Sequence, residues 1–188
     1  MARERPCRGP FFNDPQKDTD MGIHHHRKDA PGALTVAVVT VSTSRTLKED
    51  KSGHWIADQS AKEGHSVVYH QVIPDEAPVI ARTVLDLAER KKCQVILVTG
   101  GTGISDADVT IEAVRPLLDK ELAAFGVLFA QLSFEEIDSA ALLSRATAGR
   151  VGKTLVFCMP GSLNACKLAC KALIFPELGH LMKHVLSG

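Results

Sequence analysis

The sequence predicts an α/β protein with a mainly parallel central sheet. Three apolar runs rich in β-branched residues, 34–42, 66–73 and 93–99, have strand length. Two stretches of helical spacing, about 53–64 and 77–92, separate them. The first run, LTVAVVTVS, is almost continuously apolar, as expected of a strand covered on both faces. Strand alternating with helix argues for βαβ units, whose crossovers are right-handed. The loops after the three strands (42–53, 74–76 and 100–108) should then meet at one edge of the sheet, where open α/β sheets bind ligands.

Each element has its own signal. The first helix ends at Gly64, a residue suited to the left-handed position that closes a helix. Pro74, Asp75 and Glu76 break the second strand, and Ile80, Val84, Leu87 and Ala88 then fall on one helical face. A further helix should start near Asp108 or Val109 and stop or kink at Pro116. Another covers about 120–136, followed by a short helix or turn over 141–145. A hairpin is expected before 154–158, with Gly149 and Gly152 at its turn. A sharp loop follows over 159–162, and one or two helices interrupted near Pro176 finish the chain. Residues 1–32 lack a usable apolar period and are expected to form a disordered or loosely docked tail, leaving 33–188 as one domain. The triplet His24, His25 and His26 in that tail reads as solvated.

Composition narrows the function. Lys+Arg and Asp+Glu balance at 22 each, so no excess of positive charge steers the molecule toward nucleic acid or an anionic membrane. No apolar run approaches the ~20 residues of a membrane span, and no apolar segment follows Arg3, Arg5 and Arg8 as in a signal peptide. The five cysteines, Cys7, Cys93, Cys158, Cys166 and Cys170, are odd in number and mostly in apolar surroundings. They read as reduced, packed thiols of a cytoplasmic protein.

The stretch most informative about chemistry is Thr99-Gly100-Gly101-Thr102-Gly103-Ile104-Ser105-Asp106-Ala107-Asp108. Glycines directly after a strand let the backbone approach a ligand and aim N–H groups at it, and a helix start just beyond favours phosphate. It is not a P-loop, since no Gly-Lys-Ser/Thr follows, nor a dinucleotide fingerprint, since Asp106 stands at the third glycine. The plain alternative is a glycine-rich turn with Ser105 or Asp108 capping the next helix. Asp75 ends the second strand, so with Asp108 it offers two carboxylates at one sheet edge. Such pairs near phosphates usually hold Mg²⁺; an N-cap for the 77–92 helix is the competing role for Asp75. Arg45 and Arg145 read as phosphate clamps or as structural arginines, Trp55 and His54 as packing and loop residues, and 125–129 as core or subunit interface.

Together these residues carry a resemblance. Val41 to Arg45 with Asp50-Lys51-Ser52-Gly53, Ile73-Pro74-Asp75, Thr99 to Gly103 followed by Asp108-Val109-Thr110, Phe125-Gly126, Leu143-Ser144-Arg145 and Met159-Pro160-Gly161-Ser162 stand in the order typical of the MoaB/MogA family. The chain resembles that family from about Leu34 to Leu186, with 132–136 and 159–162 closer to its MoaB branch. Gephyrin-type proteins carry a similar domain. The resemblance implies a three-layer α/β/α fold, assembled as a homotrimer or homohexamer. It implies transfer of AMP from ATP to the terminal phosphate of molybdopterin, with release of pyrophosphate and hand-over to a molybdotransferase. It assigns the essential acids to Asp75 and Asp108 and implicates Ser144; the chemistry of the two carboxylates then suggests Mg²⁺ between them and the ATP phosphates. Gly100, Gly101, Thr102 and Gly103 would line the pterin phosphate pocket, with Arg145 beside it. Asp50, Ser52 and Gly53, and Pro160, Gly161 and Ser162, would complete the site. A second reading is a molybdopterin-binding or carrier protein that needs no ATP.

Overall fold

A computed structural model of the chain describes residues 32–187. The expected tail, with Cys7 and the histidine triplet, lies almost wholly outside the described residues. Six strands form one sheet in the order β2-β1-β3-β6-β5-β4: β1 (Thr35–Val41), β2 (Ser66–Ile73), β3 (Val95–Thr99), β4 (Lys120–Glu121), β5 (Thr147–Val151) and β6 (Thr154–Met159). The four strands β2, β1, β3 and β6 run parallel, and β5 and β4 are antiparallel to their neighbours.

Side-chain alternation along the central strands sets the layers. Val36 and Val38 of β1, Val95 and Leu97 of β3, and Leu155, Phe157 and Met159 of β6 pack on one face. There they meet Ile56 of α1 (Lys51–Lys62), Phe125 and Phe129 of α4 (Ala123–Ile137), Cys166 of α5 (Leu163–Leu168), and Leu178 and Met182 of α6 (Leu178–Ser187). The intervening Ala37, Val39, Val41, Ile96, Val98, Val156 and Cys158 point the other way. They meet Ile80 and Val84 of α2 (Ala77–Leu85) and Ala113 and Val114 of α3 (Thr110–Val114). The result is the expected three-layer α/β/α arrangement. Both core faces are apolar because both are covered, and each fully buried Val, Leu or Phe contributes about 1.5–3 kcal/mol.

Local departures from expectation have local causes. The helix after β2 is α-helical to Leu85 and finishes as a π-turn over Asp86–Arg90, a distinction that apolar spacing does not register. The chain from Ala169 to Ile174 behaves the same way after α5. The 120–136 segment begins as the short strand β4, whose exposed Lys120 and Glu121 carry no apolar pattern, before α4 starts at Ala123. Of the two glycines expected at the hairpin turn, only Gly152 sits there, with φ +56°. Gly149 is inside β5 opposite Glu121, where an added Cβ would lie 2.4 Å from the Lys120 carbonyl oxygen. No helix among the described residues is long and apolar enough to cross a membrane.

Strand order fixes where a ligand can sit. From β1 the chain leaves through α1 on one face of the sheet, and from β3 it leaves through α3 on the other. The adjacent carboxyl ends of β1 and β3 therefore part around a crevice, the switch point at which doubly wound sheets bind ligands.

Candidate active site

A cleft of about 430 Å³ occupies that crevice. Its walls are Ser42 to Arg45 after β1, Asp75 after β2, Gly100 to Gly103 with Ala107 and Asp108 after β3, Pro160 and Gly161 after β6, and Leu143. The three expected loops do meet at one edge, and the loop after β6 joins them.

The glycines shape its floor. Gly100 has φ +98° and Gly101 φ +62°, a region that L side chains rarely adopt. A Cβ on Gly100 would lie 2.3 Å from the Val41 carbonyl oxygen, and Gly161 packs directly above, its own Cβ position 3.1 Å from the Gly100 Cα. Thr110 at the start of α3 pins the turn from below. Its Oγ1 donates to the Gly100 carbonyl at 2.8 Å and its N–H to the Gly101 carbonyl at 2.9 Å.

Both aspartates line the cleft, and each is held by a neighbour. Thr43 Oγ1 donates to Asp75 Oδ2 at 2.7 Å. The capping role considered for Asp75 does not hold, because Glu76 occupies the N-cap position of α2 and no side chain caps that end. Asp108 accepts at Oδ2 from the Ser105 hydroxyl and from the Ser105 N–H at 3.0 Å. The Ser105 hydroxyl is the main reason its carboxyl sits below the ordinary range; the Gly103 amide and the Arg145 charge add to this, against partial burial. Ser105 and Asp108 bond each other, and neither caps α3. The glycine pattern serves the acids directly. A Cβ at position 101 would lie 3.1 Å from Asp75 Oδ1, and one at position 103 would lie 2.6 Å from Asp108 Oδ2.

Other expected site residues are distributed around and beneath the cleft. Pro160 and Gly161 line it, while the Ser162 side chain caps α5, accepting from the Ala165 N–H at 3.2 Å. Asp50 is fully buried below. It accepts from Thr40 Oγ1 at 2.6 Å, the Gly53 N–H at 2.8 Å and His70 Nε2 at 3.0 Å, and so caps α1. Ser52 donates to the Gly161 carbonyl at 2.9 Å, and Gly53 has no room for a side chain between Asp50, His70 and Thr40. This loop braces the cleft from within the fold; Asp50 and Gly53 are not on its surface. Ser144 does not line the cleft either; with Arg145 it borders a neighbouring hollow beside Gly126 and Val127 of α4. Arg145 donates through Nε to the Thr102 carbonyl at 2.9 Å and through both terminal nitrogens to Glu112. Arg45, by contrast, lines the cleft, and its guanidinium makes a long contact with the Gly161 carbonyl, 3.4 Å.

Trp55 packs at the core edge under Lys171, and His54, expected in a loop, stands in α1 with its ring 2.9 Å from the Leu47 carbonyl. Thr43 and Thr110 are the positioning residues not foreseen. Thr43 belongs to a strand-end Ser/Thr cluster that gave the only signal, while the partners of Thr110 are visible only in three dimensions.

The donor set is chemically consistent with Mg²⁺ carried by a polyphosphate. It offers two hard carboxylates, and no group of three His, Cys, Asp or Glu side chains among the described residues forms an all-protein metal cage. Mg²⁺ is commonly held by one or two carboxylates together with substrate phosphates.

Comparison with known proteins agrees with this geometry. Residues 37–180 match the family described as "Probable molybdopterin binding domain". Molybdenum cofactor biosynthesis protein B of Bacillus subtilis strain 168 is 43% identical over 166 residues, 88% of this chain and 98% of that protein. A Pyrococcus furiosus protein named molybdopterin adenylyltransferase is 39% identical over 170 residues, 87% of this chain and 98% of its own length. Among solved structures, a molybdenum cofactor biosynthesis protein B superposes with TM-score 0.82 at 42% identity, covering 85% of this chain and 99% of that one. The tungsten cofactor synthesizing protein MoaB from Pyrococcus furiosus gives 0.75 at 39% identity, covering 83% and 99%. With its switch-point cleft and full-length matches of this kind, the chain belongs to the MoaB/MogA family of molybdenum cofactor biosynthesis proteins.

Proposed function

We propose that this protein is a cytoplasmic molybdopterin adenylyltransferase, joining AMP from ATP to the terminal phosphate of molybdopterin and releasing pyrophosphate. The observation that carries the reading is that Asp75 and Asp108 stand on the walls of one cleft floored by glycines. The name of the Pyrococcus furiosus relative supports it.

In the proposed reaction an oxygen of the pterin phosphate attacks the α-phosphorus of ATP. The bond from that phosphorus to the bridging oxygen breaks, and pyrophosphate leaves. The chain has little covalent work to do: it binds two anions in line and balances their charge. The open backbone of Gly100–Gly103 gives a phosphate close approach. Arg45, on the rim, is the cation placed to meet the leaving phosphates. Thr43 and Ser105 fix the carboxylates before substrate arrives, so no reorganisation is needed during transfer. Asp75 and Asp108 would hold Mg²⁺ entering with ATP, which neutralises phosphate charge when bound. The depressed pKa of Asp108 keeps it ionised for that role.

The test is incubation of the purified protein with molybdopterin, ATP and Mg²⁺, reading adenylylated pterin and pyrophosphate, beside Asp75→Ala and Asp108→Ala. The expected result is product from the wild type and none from either variant. Binding of pterin without pyrophosphate release would replace this reading with the carrier function.

A further inference from the structure

The last helix carries a cluster of imidazoles that the proposed chemistry does not use. Helix α6 buries Leu178 and Met182, one turn apart, in the core. His180 and His184 stand one turn apart on a different face. His184 borders a hollow with Gly152 and Lys153 of the β5–β6 turn, so it sits at the amino edge of the sheet, opposite the cleft.

The two rings lie with centroids 4.8 Å apart, and His184 Nε2 is 3.0 Å from His180 Nε2. His180 Nδ1 is 3.2 Å from Glu177 Oε2. A carboxylate at Nδ1 holds the proton there and leaves Nε2 of His180 as a lone pair. His184 then donates its Nε2 proton to that lone pair, so the two Nε2 atoms face each other across 3.0 Å. A His–carboxylate contact on the far ring nitrogen is the usual outer support of a metal-binding imidazole.

We propose that His180 and His184 form a two-nitrogen clamp for a late first-row divalent ion of the nickel, copper and zinc class, with Glu177 as its outer partner. The geometry suits such an ion. Metal–nitrogen bonds of about 2.0–2.1 Å put two ligand nitrogens roughly 3.0 Å apart at a right-angle site and roughly 3.3–3.4 Å apart at a tetrahedral one. Binding needs His184 to shift its proton from Nε2 to Nδ1 and both rings to turn their Nε2 lone pairs from each other toward the ion. Among the described residues no third His, Cys, Asp or Glu joins the pair. Imidazole nitrogen favours these ions over Mg²⁺, which separates this site chemically from the oxygen donors of the cleft.

The test is nickel titration by calorimetry on the full chain with His24, His25 and His26 changed to Ala, which removes the tail as a competing chelator. One Ni²⁺ per chain is expected, with Mg²⁺ unable to displace it. His180→Ala and His184→Ala should each weaken binding at least tenfold, and Glu177→Gln about tenfold. His184 is exposed, and circular dichroism checks that its variant keeps the fold. As an independent measure, nickel should raise the thermal midpoint of the tail-substituted chain and not that of its His184→Ala derivative. A tail-substituted chain that binds no nickel overturns the site. So does binding that falls less than tenfold in both histidine variants.

Discussion

Arg145 holds Glu112 with both terminal nitrogens, Nη1 to Oε1 at 2.7 Å and Nη2 to Oε2 at 3.2 Å. The same guanidinium donates through Nε to the Thr102 carbonyl at 2.9 Å. The fork ties α3 and the glycine loop to the segment that follows α4. An arginine committed in this way acts first as a brace for the glycine loop.

Replacing that fork should therefore cost activity more than stability. Arg145→Lys keeps the charge but cannot make the planar, two-pronged contact. The ion pair is partly exposed, so its loss should lower stability by about 1 kcal/mol or less. A loop displaced by a fraction of an ångström should slow adenylyl transfer about 10- to 100-fold. Transfer rates and urea midpoints of Arg145→Lys and Glu112→Gln, measured side by side, decide it. A lowered midpoint with an unchanged rate would reduce the arginine to a surface ion pair.

Gly100→Ala should be the most damaging single methyl in the cleft. Its φ of +98° is strained for alanine, and the new methyl would meet the Val41 carbonyl oxygen at 2.3 Å. Backbone strain of this kind costs about 1–3 kcal/mol before the collision is counted. Gly152→Ala, also at positive φ (+56°) but with nothing within 4 Å, should lose only the strain. Thermal unfolding of both variants separates conformation from collision. Equal losses would mean that the Gly100–Val41 contact relaxes freely.

Much of this was legible in the sequence, for reasons that particular residues make plain. The runs that became β1 and β3 are apolar at nearly every position because helices cover both faces, and that pattern survives without any knowledge of partners. Asp75 and Asp108 were legible because each ends or follows a strand at the edge where βαβ crossovers deliver loops. Asp50, which the resemblance places in the site, is a buried helix cap in the structure. An Asp three residues before a Gly fits both a binding loop and a helix cap, and what decides is Thr40 on β1 and His70 on β2, 10 and 20 residues away. Strand β4 was missed because two exposed charged residues carry no periodicity.

The buried Asp50 should make stability sensitive to acid. Burial works to raise its pKa, but hydrogen bonds from Thr40, Gly53 and His70, with the charge of His70, outweigh it and leave the carboxyl below its ordinary value. A depressed folded pKa stabilises the protein above the unfolded value, and that stability is lost as pH falls through the folded one. Wild-type stability should therefore fall between about pH 5 and pH 2, and the fall should be smaller in Asp50→Asn. At neutral pH, Asp50→Ala should cost about 2–4 kcal/mol, through a lost helix cap and buried donors left without an acceptor. Urea unfolding of the three proteins across this pH range measures both effects. Identical acid slopes in wild type and Asp50→Asn would assign the acid sensitivity elsewhere.

The apolar surface next to Arg145 predicts self-association. Val127, Phe134 and Ile137 of α4, with Leu142 and Leu143 just after it, are 50–85% exposed in the single chain, while Phe125 and Phe129 on the same helix are buried. A soluble single chain rarely leaves so many large apolar side chains together in water. A symmetric assembly of copies, such as the expected homotrimer or homohexamer, would cover them. Sedimentation equilibrium should give three or six chains for the wild type. Phe134→Glu with Leu142→Glu should shift the protein toward monomer while circular dichroism stays the same, because neither side chain contributes to the core. Since Leu143 also lines the cleft, the monomeric variant should bind substrate more weakly. A wild-type protein that sediments as a single chain at high concentration would leave this surface without the partner proposed for it.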